Sequence, residues 1–205
     1  DDKVDGYFFD IGAHTGIYSI IGNLNQNQNK IISVEAYFLN FTRLLSNLKS
    51  NNITPKNCFL AAASNIDGKG KFSVQSSQYH SAGGRLSDNG NIPISTIKID
   101  NFKLDKKLKG IKIDTEGHEL EVLEGAKNYI TKDKPDIIFE INENCFDKCL
   151  DFLKKEGYNF FFIDEVKQKI IKIEKFNCNL KRPEGSNCYA SVSALAKLPN
   201  MNIKN

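Results

Sequence analysis

The chain has 205 residues, 40% of them hydrophobic and 26% charged, which is enough for one well-cored soluble domain and too few for two ordinary ones. Its formal net charge is only +3 and its lysines are scattered, so charge gives no reason to expect a nucleic-acid partner or a membrane surface. No apolar run approaches the roughly 20 residues that cross a bilayer, and the polar start Asp1-Asp2-Lys3-Val4-Asp5 is not a secretion signal. The chain lacks an initiator Met and enters a strand almost at once, so we expect residues 1–205 to be a single domain with an upstream segment missing. Five cysteines (Cys58, Cys145, Cys149, Cys178 and Cys188) show no paired spacing, which predicts free thiols in a reducing, cytoplasmic compartment. Cys145 and Cys149 stand four apart, but no second ligand pair at zinc spacing follows, so they read as small buried hydrophobes.

In chain order, short apolar runs alternate with amphipathic stretches, the pattern of βαβ units around a mostly parallel sheet. The first strand is Tyr7 to Ile11, followed by a turn from Gly12 to Gly16 and a helix from Ile17 to Leu24. Lys30 to Glu35 is the second strand. The helix after it carries Phe41, Leu44, Leu45 and Leu48 on one face. Cys58 to Ala62 is the third strand. Lys71–Val74 and Ile94–Lys98 read as strands flanking a Gly/Ser/Asn-rich loop, Gln75 to Asn91. Gly110 to Asp114 is the fourth strand, Glu119 to Lys127 a helix with Leu120 and Leu123 inward, and Asp136 to Ile141 the fifth strand. A helix with Phe146, Cys149, Leu150 and Leu153 on one face precedes strands at Tyr158–Ile163, Lys169–Glu174 and Cys188–Leu195. No internal repeat or linker interrupts the series.

The most informative segment is Phe8-Phe9-Asp10-Ile11-Gly12-Ala13-His14-Thr15-Gly16, a strand that ends in an acid and turns through Gly-x-x-x-Gly into a helix. The glycines permit a tight turn and let a ligand lie against bare backbone. Pyrophosphate-binding turns use G-x-G-x-x-G, and His14 breaks that fingerprint. A nucleoside cofactor without phosphate and with a cationic centre suits an acidic strand terminus such as Asp10. Glu35 ends the second strand, where a carboxylate accepts both ribose hydroxyls of a nucleoside. Each feature taken singly is also what a plain turn or helix cap would show; their placement at successive strand ends favours nucleoside binding.

Three blocks carry a resemblance: Phe9 to Gly16, Val34-Glu35-Ala36, and Ile111-Lys112-Ile113-Asp114-Thr115-Glu116-Gly117-His118-Glu119-Leu120-Glu121-Val122-Leu123-Glu124-Gly125-Ala126. The chain resembles the FkbM-type methyltransferases, whose hallmark is K-I-D-x-E-G-x-E followed by V-L-x-G-A. Phe139-Glu140-Ile141 also fits, and the likeness runs from about Tyr7 to Leu198. It departs at Ala36, where the family often has Pro. The resemblance implies a Rossmann-like class I methyltransferase fold: a mostly parallel seven-stranded sheet, helices on both faces and an antiparallel C-terminal strand. It also implies S-adenosyl-L-methionine as cofactor and O-methylation of a hydroxyl on a sugar, glycan or similar small molecule. The expected cofactor site is Asp10, Gly12, Ala13, His14, Gly16, Glu35, Ala36 and Ala62.

Transfer of a methyl group to oxygen needs alignment and a proton acceptor. Asp114 ends the fourth strand and Glu116 and His118 follow on the turn, so these three are the expected catalytic residues, Asp114 or His118 as base and Glu116 orienting the acceptor. The plainer reading is that the acids of this turn favour a helix start through its dipole. Lys112 shares a face with Asp114 inside a strand that should be buried, which predicts a shielded ion pair; snorkelling is the alternative. His80 and Arg85 on the long loop, and Glu140 on the fifth strand, are the expected acceptor contacts. Arg85 is suited to clamp a phosphate or carboxylate, and equally to a solvated loop position. No metal is required, although Asp114, Glu116 and Glu140 together would suit a hard cation. Rival readings are a dehydrogenase, disfavoured by the missing phosphate fingerprint, and a non-catalytic module on the same fold. A nucleic-acid base methyltransferase lacks both the N/D-P-P-Y/F motif and a Pro-Cys nucleophile here.

Overall fold

The computed structural model describes residues 5–24, 30–74, 84–164, 167, 169–175, 186–193 and 202–204. His80 and Cys178 lie outside them. Strand β1 (Tyr7–Ile11), helix α1 (Ile17–Leu24), β2 (Ile31–Glu35), α2 (Phe38–Ser50) and β3 (Cys58–Leu60) form the first half of a large sheet and its cover. β8 (Leu108–Ile113), α3 (Glu119–Gly125), α4 (Lys127–Asp133), β9 (Asp136–Glu140) and α5 (Phe146–Lys154) form the second. Then follow β10 (Asn159–Asp164), β11 (Lys169–Ile173), β12 (Asn187–Ser191) and β13 (Asn202–Lys204). Between the halves, β4 (Ala62–Ala63), β5 (Gly68–Val74), β6 (Gly84–Leu86) and β7 (Ile92–Ile97) build a separate four-stranded sheet in the order β4-β7-β5-β6.

The large sheet is nine-stranded and mixed, in the order β13-β11-β10-β12-β9-β8-β1-β2-β3, rather than mostly parallel with seven strands. Strands β3, β2, β1, β8 and β9 are parallel neighbours. β12 is inserted antiparallel between β9 and β10, β11 folds back antiparallel on β10, and β13 pairs parallel with β11 at the edge. The difference arises from pairing between strands distant in sequence, and β13 is a three-residue strand, Asn-Ile-Lys, with no apolar alternation. The expected third strand also divides: β3 stays in the large sheet, Ala61 crosses over by donating its N–H to the Glu35 carbonyl (3.0 Å), and β4 joins the small one. The segment read as a loop from Gln75 to Asn91 contains β6, and a second short helix, α4, follows α3.

Burial follows the parallel core. Phe9, Asp10 and Ile11 of β1 and Ile111, Lys112 and Ile113 of β8 are all buried, so successive side chains pointing to opposite faces are both covered. α5 buries Phe146, Cys149, Leu150 and Leu153, as its periodicity predicts. α2 buries Leu44 and Leu48 on the expected stripe, with Asn40 added to it. In α3 the fully buried pair is Val122 and Leu123, with Leu120 only partly covered. α1 is inverted: Ser19 and Asn23 face inward while Ile17, Ile21 and Leu24 are exposed. The cause is a polar interior beneath it, where Ser19 Oγ donates to Asp10 Oδ2 at 2.5 Å and lies 2.7 Å from Ser33 Oγ. Cys58, Cys145, Cys149 and Cys188 are free thiols. Among the described residues, no helix is long and apolar enough to cross a membrane.

Gly125 explains one glycine of the V-L-x-G-A motif. A Cβ there would sit 2.0 Å from the Ser64 carbonyl oxygen, because α3 lies directly on the backbone leaving β4. We expect Gly125→Ala to destabilise the protein by about 1–3 kcal/mol, the cost of overpacking against backbone that cannot move aside. A urea unfolding curve checks this: the midpoint should fall with unchanged slope.

Candidate active site

A cleft of about 230 Å³ lies beyond the carboxyl ends of β1, β2 and β8. Strand order reverses at β1, and open α/β sheets bind their ligands at such a switch point. Residues Gly12–Thr15 form one wall, Val34, Glu35 and Ala36 a second, and Ala61–Ala63 a third, while Phe72, Gly84 and Leu86 reach in from the small sheet. Tyr37 stacks on Phe72 with ring centroids 6.2 Å apart, tying the start of α2 to that sheet.

The glycine loop is held by its own backbone. The N–H groups of Gly12 and Ala13 both donate to the Val34 carbonyl (2.9 and 3.1 Å), and Gly16 N–H closes the turn on the Ala13 carbonyl (2.8 Å). Gly12 has φ +67°, and a Cβ there would lie 1.8 Å from the Asp114 carbonyl oxygen, so only glycine lets β1 and β8 end side by side. His14 adopts φ +51°, a left-handed conformation that aims its N–H at Glu35 Oε2 (2.8 Å); Glu35 Oε1 accepts from Tyr37 N–H, also at 2.8 Å. Burial pushes the Glu35 carboxyl upward, opposed by these two bonds. Each oxygen keeps a further lone pair for a ligand hydroxyl.

Beneath the loop sits Lys112. Its Nζ donates to the Gly12 carbonyl at 2.8 Å and lies 3.7 Å from Asp10 Oδ1 and 3.5 Å from Asp114 Oδ2, with the Tyr18 ring centroid 5.3 Å away. The expected Lys112–Asp114 pair is therefore present, but it is one part of a larger set, and the Asp114 side chain remains half exposed. Asp10 is fully buried under the loop and does not line the cleft, so in this structure its carboxylate serves Ser19 and Lys112. Burial raises its pKa and the Lys112 charge lowers it.

The acidic turn follows β8. Asp114, Glu116 and Glu140 each bring one oxygen within 4.8 Å of the others, a spacing that suits oxygen ligands of a hard cation and sets like charges against one another. Burial, then the Asp114, Glu116 and Glu119 charges, push the Glu140 carboxyl up to about 8. Burial and Asp114 also raise Glu116, with Arg85 opposing. His118 has both ring nitrogens occupied: Nε2 is 3.0 Å from Ser64 Oγ, and Nδ1 is 3.5 Å from Glu121 Oε2. Burial lowers its pKa.

The structure thus gathers Gly12, Ala13, His14, Glu35, Ala36, Ala62, Asp114, Glu116 and His118 on one cleft, with Glu140 adjoining it through the carboxylate cluster. Gly16 shapes the loop from behind. Arg85 is exposed on β6 between two cleft-lining neighbours, Gly84 and Leu86, and acts on the site through its charge near Glu116. Sequence reading passed over Asn40, buried on the apolar stripe of α2 at the cleft, and Glu119, fully buried at the start of α3. The signal for Asn40 was a polar residue in register with Leu44 and Leu48; Glu119 was visible as the last acid of K-I-D-x-E-G-x-E, but its inward turn was not.

Removing Lys112 should expose its structural role. Lys112→Met leaves Asp10 buried without a cation, for which a loss of about 3–5 kcal/mol is expected at neutral pH. The folded Asp10 pKa, already raised, rises further in this variant, so the penalty belongs to the ionised form and shrinks as pH falls through that pKa. Urea unfolding followed from about pH 9 down to about pH 4 should show the deficit shrinking toward the acid end; a deficit constant over the whole range would assign the loss to packing alone.

The sequence from residue 10 to 160 matches the methyltransferase FkbM domain model. Among solved structures, the methyltransferase FkbM of Methylobacillus flagellatus KT is similar with a TM-score of 0.57 at 17% identity, over 90% of this chain and 43% of that one. The chain therefore spans less than half the length of that protein. The precorrin-6y C5,15-methyltransferase of Geobacter metallireducens GS-15 is similar at TM-score 0.52 and 15% identity, over 92% of this chain and 80% of that one. The precorrin-8w decarboxylase of Methanobacterium thermoautotrophicum gives 0.50 at 10% identity, over 91% and 81%. At these identities the structures show a shared fold, and no curated protein matches the sequence significantly. The family match covers most of the chain, including the glycine loop, Glu35 and the acidic turn, and on that ground the chain belongs to the methyltransferase FkbM domain family.

Proposed function

We propose that this domain is an S-adenosylmethionine-dependent methyltransferase acting on a hydroxyl oxygen of a small-molecule acceptor such as a sugar or glycan. The observation that carries this reading is the placement of Glu35 and the Asp114–Glu116 turn on facing parts of one cleft at the switch point of the sheet. The residues suit the cofactor. The alanines at 36, 61, 62 and 63 leave a flat apolar slot for a base, Glu35 offers acceptors for ribose hydroxyls, and the backbone of residues 12–15 lies open for the amino-acid end. The bound cofactor supplies an electrophilic methyl group on a cationic sulfur.

The chain's own part is to align the acceptor and take its proton. Asp114, half exposed at the end of β8, is the carboxylate that faces the acceptor hydroxyl, and Glu116 orients it. The proton passes into the three-carboxylate cluster, where Glu140, with its carboxyl pushed up to about 8, is the group best matched to hold it near neutral pH. His118 is held by Ser64 and Glu121, so in this reading it fixes the turn and leaves proton transfer to the carboxylates.

Two measurements test the reading. Glu35→Ala should weaken adenosylmethionine binding by about 1.5–3 kcal/mol, the usual worth of hydrogen bonds to a charged group; calorimetry showing unchanged affinity would remove the ribose assignment. Asp114→Asn should lower turnover by roughly 10²–10⁴-fold, with the melting temperature little changed.

A pH profile adds a third. Glu140 must be ionised to receive a proton, so turnover should rise with pH through about 8 and level off above it. Glu140→Gln should flatten that rise. Because the folded pKa is raised, Glu140 also makes the protein less stable as pH climbs from the ordinary carboxyl range through about 8.

A further inference from the structure

Glu119 stands outside the chemistry described above, yet its carboxylate is fully buried without a salt bridge among the described residues. Burying a charge is costly unless hydrogen bonds replace its water. Here four donors do so. Oε1 accepts from Thr115 N–H, Thr115 Oγ1–H and Gly117 N–H, each at 3.1 Å, and Oε2 accepts from the Cys145 thiol at 3.0 Å. The two backbone donors flank Glu116, which has φ +57°, with Gly117 at +101°. A non-glycine residue in the left-handed region is strained and persists only where its surroundings hold it. An acid that merely favoured a helix dipole would face solvent; this one reaches back and brackets the strained residue.

We propose that Glu119 is the positioning residue of this site, clamping the 115–117 turn in the left-handed conformation that brings Glu116 against Asp114 and Glu140. The inference rests on the methyl-transfer reading for its catalytic consequence, while the clamp itself is a matter of geometry. A carboxylate is suited to the task because it only accepts, and all four neighbours donate. A glutamine keeps one carbonyl oxygen for the three turn donors and turns its amide toward the Cys145 sulfur, a weak acceptor, so it preserves most of the clamp. The clamp leaves the cofactor wall alone, since the 12–16 loop and Glu35 are fixed by bonds to Val34, Tyr37 and Lys112.

The experiment uses the full chain, with Glu119→Ala and Glu119→Gln compared by three readouts: adenosylmethionine affinity, turnover of any hydroxyl acceptor accepted by the wild type, and the titration midpoint of Glu140 by carboxyl-labelled NMR. Both variants lose the Glu119 charge that helps raise Glu140, so the clamp is read from their difference: in Glu119→Ala, Glu116 is released from the cluster and the Glu140 midpoint should fall below that of Glu119→Gln. Turnover should fall roughly 10–100-fold, the scale expected for misplacement by about 1 Å. Adenosylmethionine affinity should stay within about twofold, since none of its proposed contacts involve Glu119. Glu119→Gln should restore turnover to within roughly threefold and hold the higher midpoint of the two variants. A folded Ala variant with wild-type midpoint and turnover overturns the proposal, as does a folded Gln variant as impaired as Ala. If the Ala variant does not fold, Glu119→Asp keeps the charge but is one methylene shorter and draws back from the Thr115 and Gly117 donors; a wild-type Glu140 midpoint and turnover there overturn it equally. Failure of the wild type to bind adenosylmethionine would instead sink the methyltransferase reading, and the Glu140 midpoint would still decide the clamp.

Discussion

A lysine ammonium near the end of a central parallel strand is expensive to desolvate, and the architecture around Lys112 shows how it is accommodated. Nζ takes the Gly12 carbonyl, Asp10 and Asp114 as partners, which come from the end of β1, the glycine loop and the end of β8. One buried cation thus ties the glycine-loop wall of the cleft to the acidic turn. It also accounts for α1. Asp10 needs a donor on its far side, Ser19 provides it, and the helix turns its polar face inward while Ile17, Ile21 and Leu24 face out. The inverted helix, the buried acid and the tight loop are consequences of placing that charge where two strands end.

The cleft is unusual in how many carboxylates it concentrates, and each is compensated by different means. Asp10 is offset by Lys112 and Ser19, Glu35 by two backbone N–H groups, and Glu119 by four donors without a cation. Glu140 has least compensation. One of its oxygens is buried without a partner among the described residues, and burial, then the charges of Asp114, Glu116 and Glu119, push its carboxyl up to about 8. Acids in one small volume are therefore held by different partners: a cation and a hydroxyl, backbone amides, a set of four donors, and for Glu140 the least of these.

The shared fold does not settle the reaction. Structures similar at this level include two methyltransferases and a decarboxylase, so the sheet positions a site and the side chains at the strand ends decide its chemistry. What distinguishes this chain is the local set: Glu35 against the glycine loop, Lys112 beneath it, and a strained turn held open beside Glu140.

The sequence alone determined the parts whose physics is local. The span of β1, the boundaries of α1, the glycine turn, Glu35 at a strand end and the face of α5 were all legible, because periodicity and turn chemistry act over a few residues. The motif from Ile111 to Ala126 identified the family, and the shared face of Lys112 and Asp114 announced their ion pair. The tertiary structure decided what depends on distant partners. Insertion of β12 between β9 and β10, addition of β11 and β13, and division of the third strand between two sheets are non-local pairings that leave no periodic trace. Asp10 read as a cofactor contact because its strand-end position was visible and its burial beneath the loop was not. Glu119 was visible as the last acid of the motif but its role was not, since an acid in a first helical turn looks the same whether it faces water or turns back to hold the residues before it.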